Sequence, residues 1–378
     1  MTINVKAEAV DWVRRAEDLG PQIAARAADA DAADAFVADN LALLKAEGFH
    51  AAAVPAELGG GGASHAELSA VLRTLARHCG STALAFAMHT HAAALPAWRW
   101  RRTPEAVEGL LRRIVAEKLT LVSSGGSDWL DGSCRAVPAD GGFRVNGRKV
   151  FASGCQQGDL LVTMAVQDGP EGPTVLHMAI PMKAEGVEVL DTWRTLGMRG
   201  TGSHDLELTD VFVPEAAVTV RRPAGKWHPL MHMVTLIAFP LIYSAYVGLA
   251  EAARDKAVEL TLARSRGRAP VDTVAALGEA ETHLAAARLA LADMVACAAT
   301  DEPGPAATNR IMTGRVLAAR SAIATVERAL AAAGGAGFYR ANGLERIWRD
   351  VQAARYHPLQ EPTQARLAGR LALGLDID

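Results

Sequence analysis

The chain is poor in cysteine: four residues in 378, at Cys79, Cys134, Cys155 and Cys297, with no CxxC pair. A disulfide framework and a structural zinc site are therefore not expected, and a reducing compartment fits. Nor is either charge in excess. Thirty-nine Lys and Arg stand against 42 Asp and Glu, a net charge of −3. No bulk positive field exists to hold nucleic acid or an anionic membrane. Aromatics make up 5%, yet hydrophobic residues reach 50% against 21% charged, a globular balance that argues against disorder. The opening MTINVKAEAVDWVRR lacks the charged start, apolar core and cleavage site of a signal peptide, so a cytoplasmic protein is expected. One uncharged run, Met233 to Ala250, reaches 18 residues, the lower limit for a membrane span. Pro240 in its middle, Ser244, two tyrosines and the lack of a flanking basic cluster favour a buried bundle helix instead.

Alanine use divides what is present. Residues 121–215 hold six alanines, while both flanks are full of them. Alanine is the best helix former, so the chain reads as three parts: an α-helical domain over 1–118, a β domain over 119–225 and a helical bundle over 226–378. The first part suggests five helices, with clear ones at 65–79 and 82–96. Gly59 to Gly62 form a loop, since four glycines cannot sit in a helix interior. The middle carries β-branched runs at 119–123, 143–153, 159–166, 174–182, 187–193 and 204–213, separated by turn clusters, and predicts an antiparallel sandwich or barrel. The last part predicts helices at about 240–265, with Pro240 in a first turn, then 272–300, 305–333, 344–355 and 360–373. Ligand sites favour the junctions of such domains.

Five segments in order then resemble acyl-CoA dehydrogenases. They are Val54-Pro55-Ala56-Glu57-Leu58-Gly59-Gly60; Asn146 to Gly154, similar to "NGxKxWIT"; Leu196-Gly197-Met198-Arg199-Gly200 with Asp210-Val211-Phe212-Val213-Pro214; Gly248 to Ala253; and Gly334 to Phe338 with Leu344 to Asp350, similar to "GGxGF…LERxxRD". The resemblance covers nearly the whole chain from about residue 50. It implies an α+β fold of helical domain, antiparallel β domain and C-terminal bundle, usually a homotetramer. It also implies FAD, with FMN as the alternative, and an isoalloxazine ring between β domain and bundle. Dehydrogenases of this family oxidise an acyl thioester, a carboxylate taking the α-proton and the flavin the hydride.

Carried onto this chain, the resemblance places Ser153 at flavin N5 and Phe151 over the ring. It places Ser123 at the pyrimidine edge, Ser127 by the phosphate, and Gly334 and Gly335 near another subunit's adenine end. A strand-end serine satisfying a turn, or a core phenylalanine, is the structural alternative. Three departures stand out. "VTEPxAGSD" is shortened to Val122-Ser123-Ser124-Gly125-Gly126-Ser127-Asp128; Ala331 replaces the Gln before the paired glycines; and "RxxFG" becomes Arg264-Ser265-Arg266-Gly267-Arg268. The last two touch the adenosine end and leave FAD against FMN open. The usual catalytic Glu is also missing. Ungapped, His357 takes its place, Asp255 matches an alternative position on the first long C-terminal helix, and Glu361 matches only after an insertion.

The close Arg349-Asp350…His357-Pro358-Leu359 resembles the type-2 C-terminal domain of flavin-dependent monooxygenases, which use reduced flavin and O2. His89 and His91 stand on the helix that walls the family's pocket, and at spacing i, i+2 at most one faces it; His91 is ranked as catalytic. No third ligand stands at metal spacing. The main expectation is dehydrogenation of an acyl-CoA, the alternative is a two-component monooxygenase served by a flavin reductase or other electron-transfer partner, and the third is a flavin-bearing binding protein. Arginines in 219–378 are interspersed with acids, so no nucleic-acid face is expected.

Overall fold

The computed structural model describes residues 10–124, 126, 128–265 and 268–377. Ser127 lies outside them. Five α-helices come first: α1 Trp12–Ala32, α2 Ala38–Ala46, α3 His65–His78, α4 Gly80–Trp100 and α5 Glu108–Ala116. Helix α3 starts where its sequence says it should: Ser64 and Glu67 form a reciprocal capping box, which satisfies two otherwise orphaned N–H groups. Gly60 allows the loop before it to fold back, since a Cβ there would lie 2.3 Å from the Val54 carbonyl oxygen.

Eight strands follow: β1 Leu121–Ser123, β2 Arg135–Ala139, β3 Gly142–Lys149, β4 Leu160–Gln167, β5 Thr174–Pro181, β6 Val187–Val189, β7 Leu206–Pro214 and β8 Val218–Pro223. They form one sheet in the order β6-β7-β3-β2-β4-β5-β8, with β1 also on β4. Most pairs are antiparallel, but β1 and β2 pair with β4 in parallel, a departure from the purely antiparallel expectation. Strands β2 and β8 were not anticipated. Pro138 inside β2 and the charged Arg221-Arg222-Pro223 end of β8 hide the β pattern. The sheet encloses its own apolar core around Val145, Leu161, Leu176 and Val211.

The C-terminal part is α6 Pro229–Ser265, α7 Val271–Thr300, α8 Pro305–Ala333, α9 Leu344–Val351 and α10 Glu361–Ala372. Helix α6 starts eleven residues before the expected 240, so Pro240 sits inside the helix and not in its first turn. Close by, His65 Nε2–H donates to the Ile237 carbonyl at 2.9 Å, tying the start of α3 to the proline-containing stretch of α6. By length and composition α6 and α7 could each cross a membrane, but 89% of the apolar window of α6 is buried inside the protein. That burial, against α3, α4 and α8, accounts for the uncharged run at 233–250. The core of α3, α4, α6 and α8 is continuous with the N-terminal helices, so the sheet is held between two helical parts that share one hydrophobic interior.

Candidate functional site

Strand β3 runs out into Val150–Ser153. Phe151 has a left-handed backbone, φ 57°, a conformation that side chains rarely adopt without a constraint. Here it turns the ring outward. The ring is 56% exposed and meets Trp193 edge-on at 5.9 Å. The next turn is pinned by Ala152 N–H to the His204 carbonyl and Gly154 N–H to the Thr201 carbonyl. Ser153 is buried. Its Oγ lies 2.7 Å from Ser203 Oγ, and Ser203 Oγ lies 2.7 Å from Thr201 Oγ1. Ser153 and Leu121 line a cavity of about 370 Å³ together with Phe86 and His89 of α4. The β3 exit, β1 and α4 therefore meet here.

The two histidines of α4 have different fates. His89 Nδ1 accepts from the Leu121 N–H at 3.0 Å, and its Nε2–H donates to the His50 carbonyl at 2.8 Å. Both nitrogens are spent tying α4 to β1 and to the α2–α3 connection. His91 Nδ1–H donates to the Ala87 carbonyl at 2.9 Å. That leaves Nε2 as a lone-pair nitrogen with no partner among the described residues. Burial pushes His91 down to about 4, so it is neutral at ordinary pH.

His357 follows α9, in the segment between Arg355 and α10. Its Nε2 lies 2.6 Å from the Tyr246 hydroxyl. Tyr243, one turn earlier on α6, donates its hydroxyl to the Ala354 carbonyl at 2.7 Å. Arg315 of α8 is fully buried. It donates to the His357 carbonyl at 2.6 Å and stands 5.4 Å over the Tyr243 ring, a cation–π contact. Side chains of two helices, α6 and α8, therefore fix one histidine. Burial first, then the Arg315 charge, with His91 as a lesser neighbour, pushes His357 down to about 3. Burial raises Tyr246 well above the usual phenol value. Both groups are neutral, and they form an uncharged hydrogen-bonded pair beside the Arg315 cation. On the other side, the loop after β1 approaches this segment: a Cβ on Gly126 would lie 3.6 Å from Pro358 Cδ.

The expected carboxylates stand elsewhere. Asp255 is nine residues beyond Tyr246 on α6, which places it roughly half a turn round the helix and about 13 Å along it. It pairs with Arg77 and Arg254, both at 3.2 Å, and is half-exposed. Asp255 thus stands in a half-exposed ion-pair cluster with Arg77 and Arg254. Glu361 pairs with Arg320 at 2.7 Å, which holds its carboxyl below the usual range. Ser123 ends β1 half-buried, while Ser124 bonds Thr163 within the sheet at 2.7 Å. Gly334 ends α8 at φ 56°, and a Cβ on Gly335 would meet nothing within 4 Å. Both glycines are exposed, in the same short turn as the exposed Phe338 and Tyr339. Tyr243, Tyr246, Arg315, Thr201 and Ser203 were not singled out from sequence as site residues. Two tyrosines in the uncharged run 233–250 were the sole available signal.

The open groups suit a flavin. An uncovered aromatic ring stands beside a buried hydroxyl, and the loop after β1 holds a buried Trp129 Nε1–H with no partner among the described residues. Phe151 would cover a flat ring, Ser153 would meet its N5 edge and Ser123 its pyrimidine edge.

A helical domain, a sheet and a helical bundle around such a site define an acyl-CoA dehydrogenase-fold flavin enzyme. Family models agree: the acyl-CoA dehydrogenase N-terminal domain matches residues 14–117, the middle domain 123–211 and the C-terminal domain 241–362. A dibenzothiophene monooxygenase of Mycolicibacterium goodii is 30% identical over 359 residues, covering 86% of this chain and 84% of the relative. A putative acyl-CoA dehydrogenase, YdbM of Bacillus subtilis, is 28% identical, covering 92% of each. The solved structure of KijD3 in complex with FMN and a dTDP-linked amino-keto sugar superposes with a TM-score of 0.88 at 29% identity, covering 98% of this chain and 96% of that one. The chain belongs to the acyl-CoA dehydrogenase family, with the type-2 form of its C-terminal domain.

Proposed function

We propose that this protein is a flavin-dependent monooxygenase that takes reduced flavin from a separate reductase and acts with O2 on a small-molecule substrate. The observation that carries the proposal is the site's chemistry. It presents neutral His91 and neutral His357, while Asp255 and Glu361 are bound to arginines at other faces. Dehydrogenation of a thioester needs a carboxylate within hydrogen-bond reach of the α-carbon, and this chain offers none at either expected place. The relatives support the same choice, since they include dibenzothiophene monooxygenases and amino sugar nitrososynthases.

Reduced flavin, when bound, supplies the electrons that activate O2. The chain supplies the rest. Phe151 and Ser153 orient the ring, and Ser123 and the Trp129 indole add polar contacts on the β1 side. His357, locked by Tyr246 and Arg315, and His91, with its free Nε2, hold or move a proton next to the ring. The buried walls of α4 and α6 exclude water. FMN and FAD both remain candidate forms, because the residues lost relative to the family concern the adenosine end. Assembly as a homotetramer, with Gly334 and Gly335 near a neighbour's cofactor, belongs to the same proposal.

The test is anaerobic loading with reduced FMN or FAD, followed by rapid mixing with O2. The expected result is a transient absorbance, distinct from both reduced and oxidised flavin, that outlasts the same signal with free flavin. His357→Asn should shorten it. Anaerobic bleaching of bound oxidised flavin by an acyl-CoA would instead restore the dehydrogenase reading.

A further inference from the structure

The hydroxyls behind Ser153 form a chain whose direction is fixed at its far end. Thr201 Oγ1 lies 2.8 Å from the Met198 carbonyl. A carbonyl oxygen can only accept, so the single Thr201 hydroxyl proton points to it. Thr201 Oγ1 must then accept from Ser203, at 2.7 Å. Ser203 has spent its own proton, so it must accept from Ser153, also at 2.7 Å. All three residues are buried, and of the three Ser153 alone lines the cavity. Met198 is itself held: its N–H donates to the buried Asp350 carboxyl at 2.5 Å. The Ser153 proton therefore points inward, and what Ser153 offers a ligand is a lone pair.

We propose that Thr201 and Ser203 are positioning residues that fix the Ser153 hydroxyl as an acceptor, and so select flavin carrying hydrogen on N5 over flavin without it. This rests on the reading above that Ser153 stands at N5. Reduced flavin has an N5–H that donates to the waiting lone pair. Oxidised flavin has a lone pair at N5, and two acceptors face each other. The same serine with a free proton would serve both forms. The hydroxyl chain therefore makes an otherwise indifferent contact selective for the redox state. Such a site takes up reduced flavin delivered from outside and lets the oxidised form go.

The experiment measures dissociation constants of oxidised FMN and of dithionite-reduced FMN, anaerobically, for the full chain and for Thr201→Val and Ser203→Ala. Valine keeps the shape of threonine but removes the terminal acceptor. The Ser203 proton can then turn toward Ser153 and release the Ser153 proton outward. The wild type should bind reduced FMN more tightly. In either variant the ratio of the two constants should fall about tenfold, the effect of roughly one hydrogen bond, with oxidised FMN gaining affinity. That gain at a residue one hydroxyl removed from the ligand is not produced by simple loosening. 5-Deaza-FMN, with carbon at position 5, should show neither the preference nor the response. An unchanged ratio in both variants, with reduced FMN still bound, overturns this inference and leaves the proposed function standing. Should the variants not fold, the wild type alone decides: tighter binding of oxidised than of reduced FMN, or an equal preference with the 5-deaza analogue, overturns it. No binding of either form of FMN or FAD overturns the flavin reading itself.

Discussion

His91 and His357 reach the same protonation state by different routes: His91 by burial with one nitrogen tied to its own helix, His357 by burial and the Arg315 charge. His89 and His177 are likewise pushed down, to about 4 and about 3, by burial first. This has a consequence for acid stability. An unfolded histidine takes up its proton near pH 6.5, whereas these four do so only near pH 3 to 4 when folded. Between those limits the unfolded state binds more protons, so stability falls as pH drops. Asp350 opposes the trend, since burial raises it to about 6 and the folded state protonates it first; one group offsets only part of four. Melting temperature measured from pH 7 down to pH 4 should decline steadily. A flat profile, or a rise on acidification, would show that these rings are protonated in the fold. Carboxylates give the contrasting case. Asp255→Asn and Glu361→Gln remove exposed ion pairs, worth about 0–1 kcal/mol each, and turnover should stay within about twofold of wild type, since about 0.4 kcal/mol on a barrier corresponds to that factor. A large loss of kcat in Asp255→Asn would return that residue to the active site. At this scale His357 was legible, because it replaces a residue in an ungapped motif. Its partners Tyr246 and Arg315 were not, since they stand 111 and 42 positions away in sequence and no local pattern marks them.

The helices were legible as elements because alanine-rich, periodic stretches are locally self-consistent. Helices α7, α8 and α10 begin and end within a residue or two of expectation. The sheet was less so. Strands β2 and β8 carry proline or arginine where a strand pattern needs apolar alternation, and pairing with β3 and β5 decides them. Pro240 shows the same override from the tertiary level: it sits inside α6 although proline removes a helical hydrogen bond, in a stretch buried against neighbouring helices. The α3–α6 contact underlies the site, since α6 carries both tyrosines. Gly248 sits at that crossing, where a Cβ would lie 2.2 Å from the Arg73 carbonyl oxygen. Backbone cannot yield as a flexible side chain does, so Gly248→Ala should destabilise by about 1–3 kcal/mol or more and lower flavin retention through the displaced Tyr246. A denaturation midpoint equal to that of the wild type would show that the helices can part without penalty.

Across the whole molecule, apolar surface is distributed unevenly, and this bears on assembly. Both 233–250 and 284–299 read in sequence as more apolar than one bundle requires. For 233–250 the structure removes that argument: the run is covered within the subunit. Helix α7 differs. Its apolar window is 39% buried, and Leu289, Val271 and Val274 are 72%, 83% and 57% exposed. Phe338 and Tyr339, at 86% and 69%, follow the short turn that begins with the paired glycines, where a Cβ on Gly335 would meet nothing within 4 Å. Single exposed apolar side chains are ordinary, but several on the outer helix and at the glycine turn of one bundle are costly to leave in water. The expected outcome is an oligomer at micromolar concentration, built through the C-terminal bundle. Leu289→Lys places a charge in that face and should shift the assembly toward smaller species, and Gly335→Trp should fill the open space a neighbour's backbone would need. If the glycine turn also faces a neighbour's cofactor, Gly335→Trp should weaken flavin binding more than Leu289→Lys does at equal loss of assembly. Light scattering with parallel flavin titration separates the cases. A monomeric wild type that still binds flavin stoichiometrically would sink the shared-site arrangement.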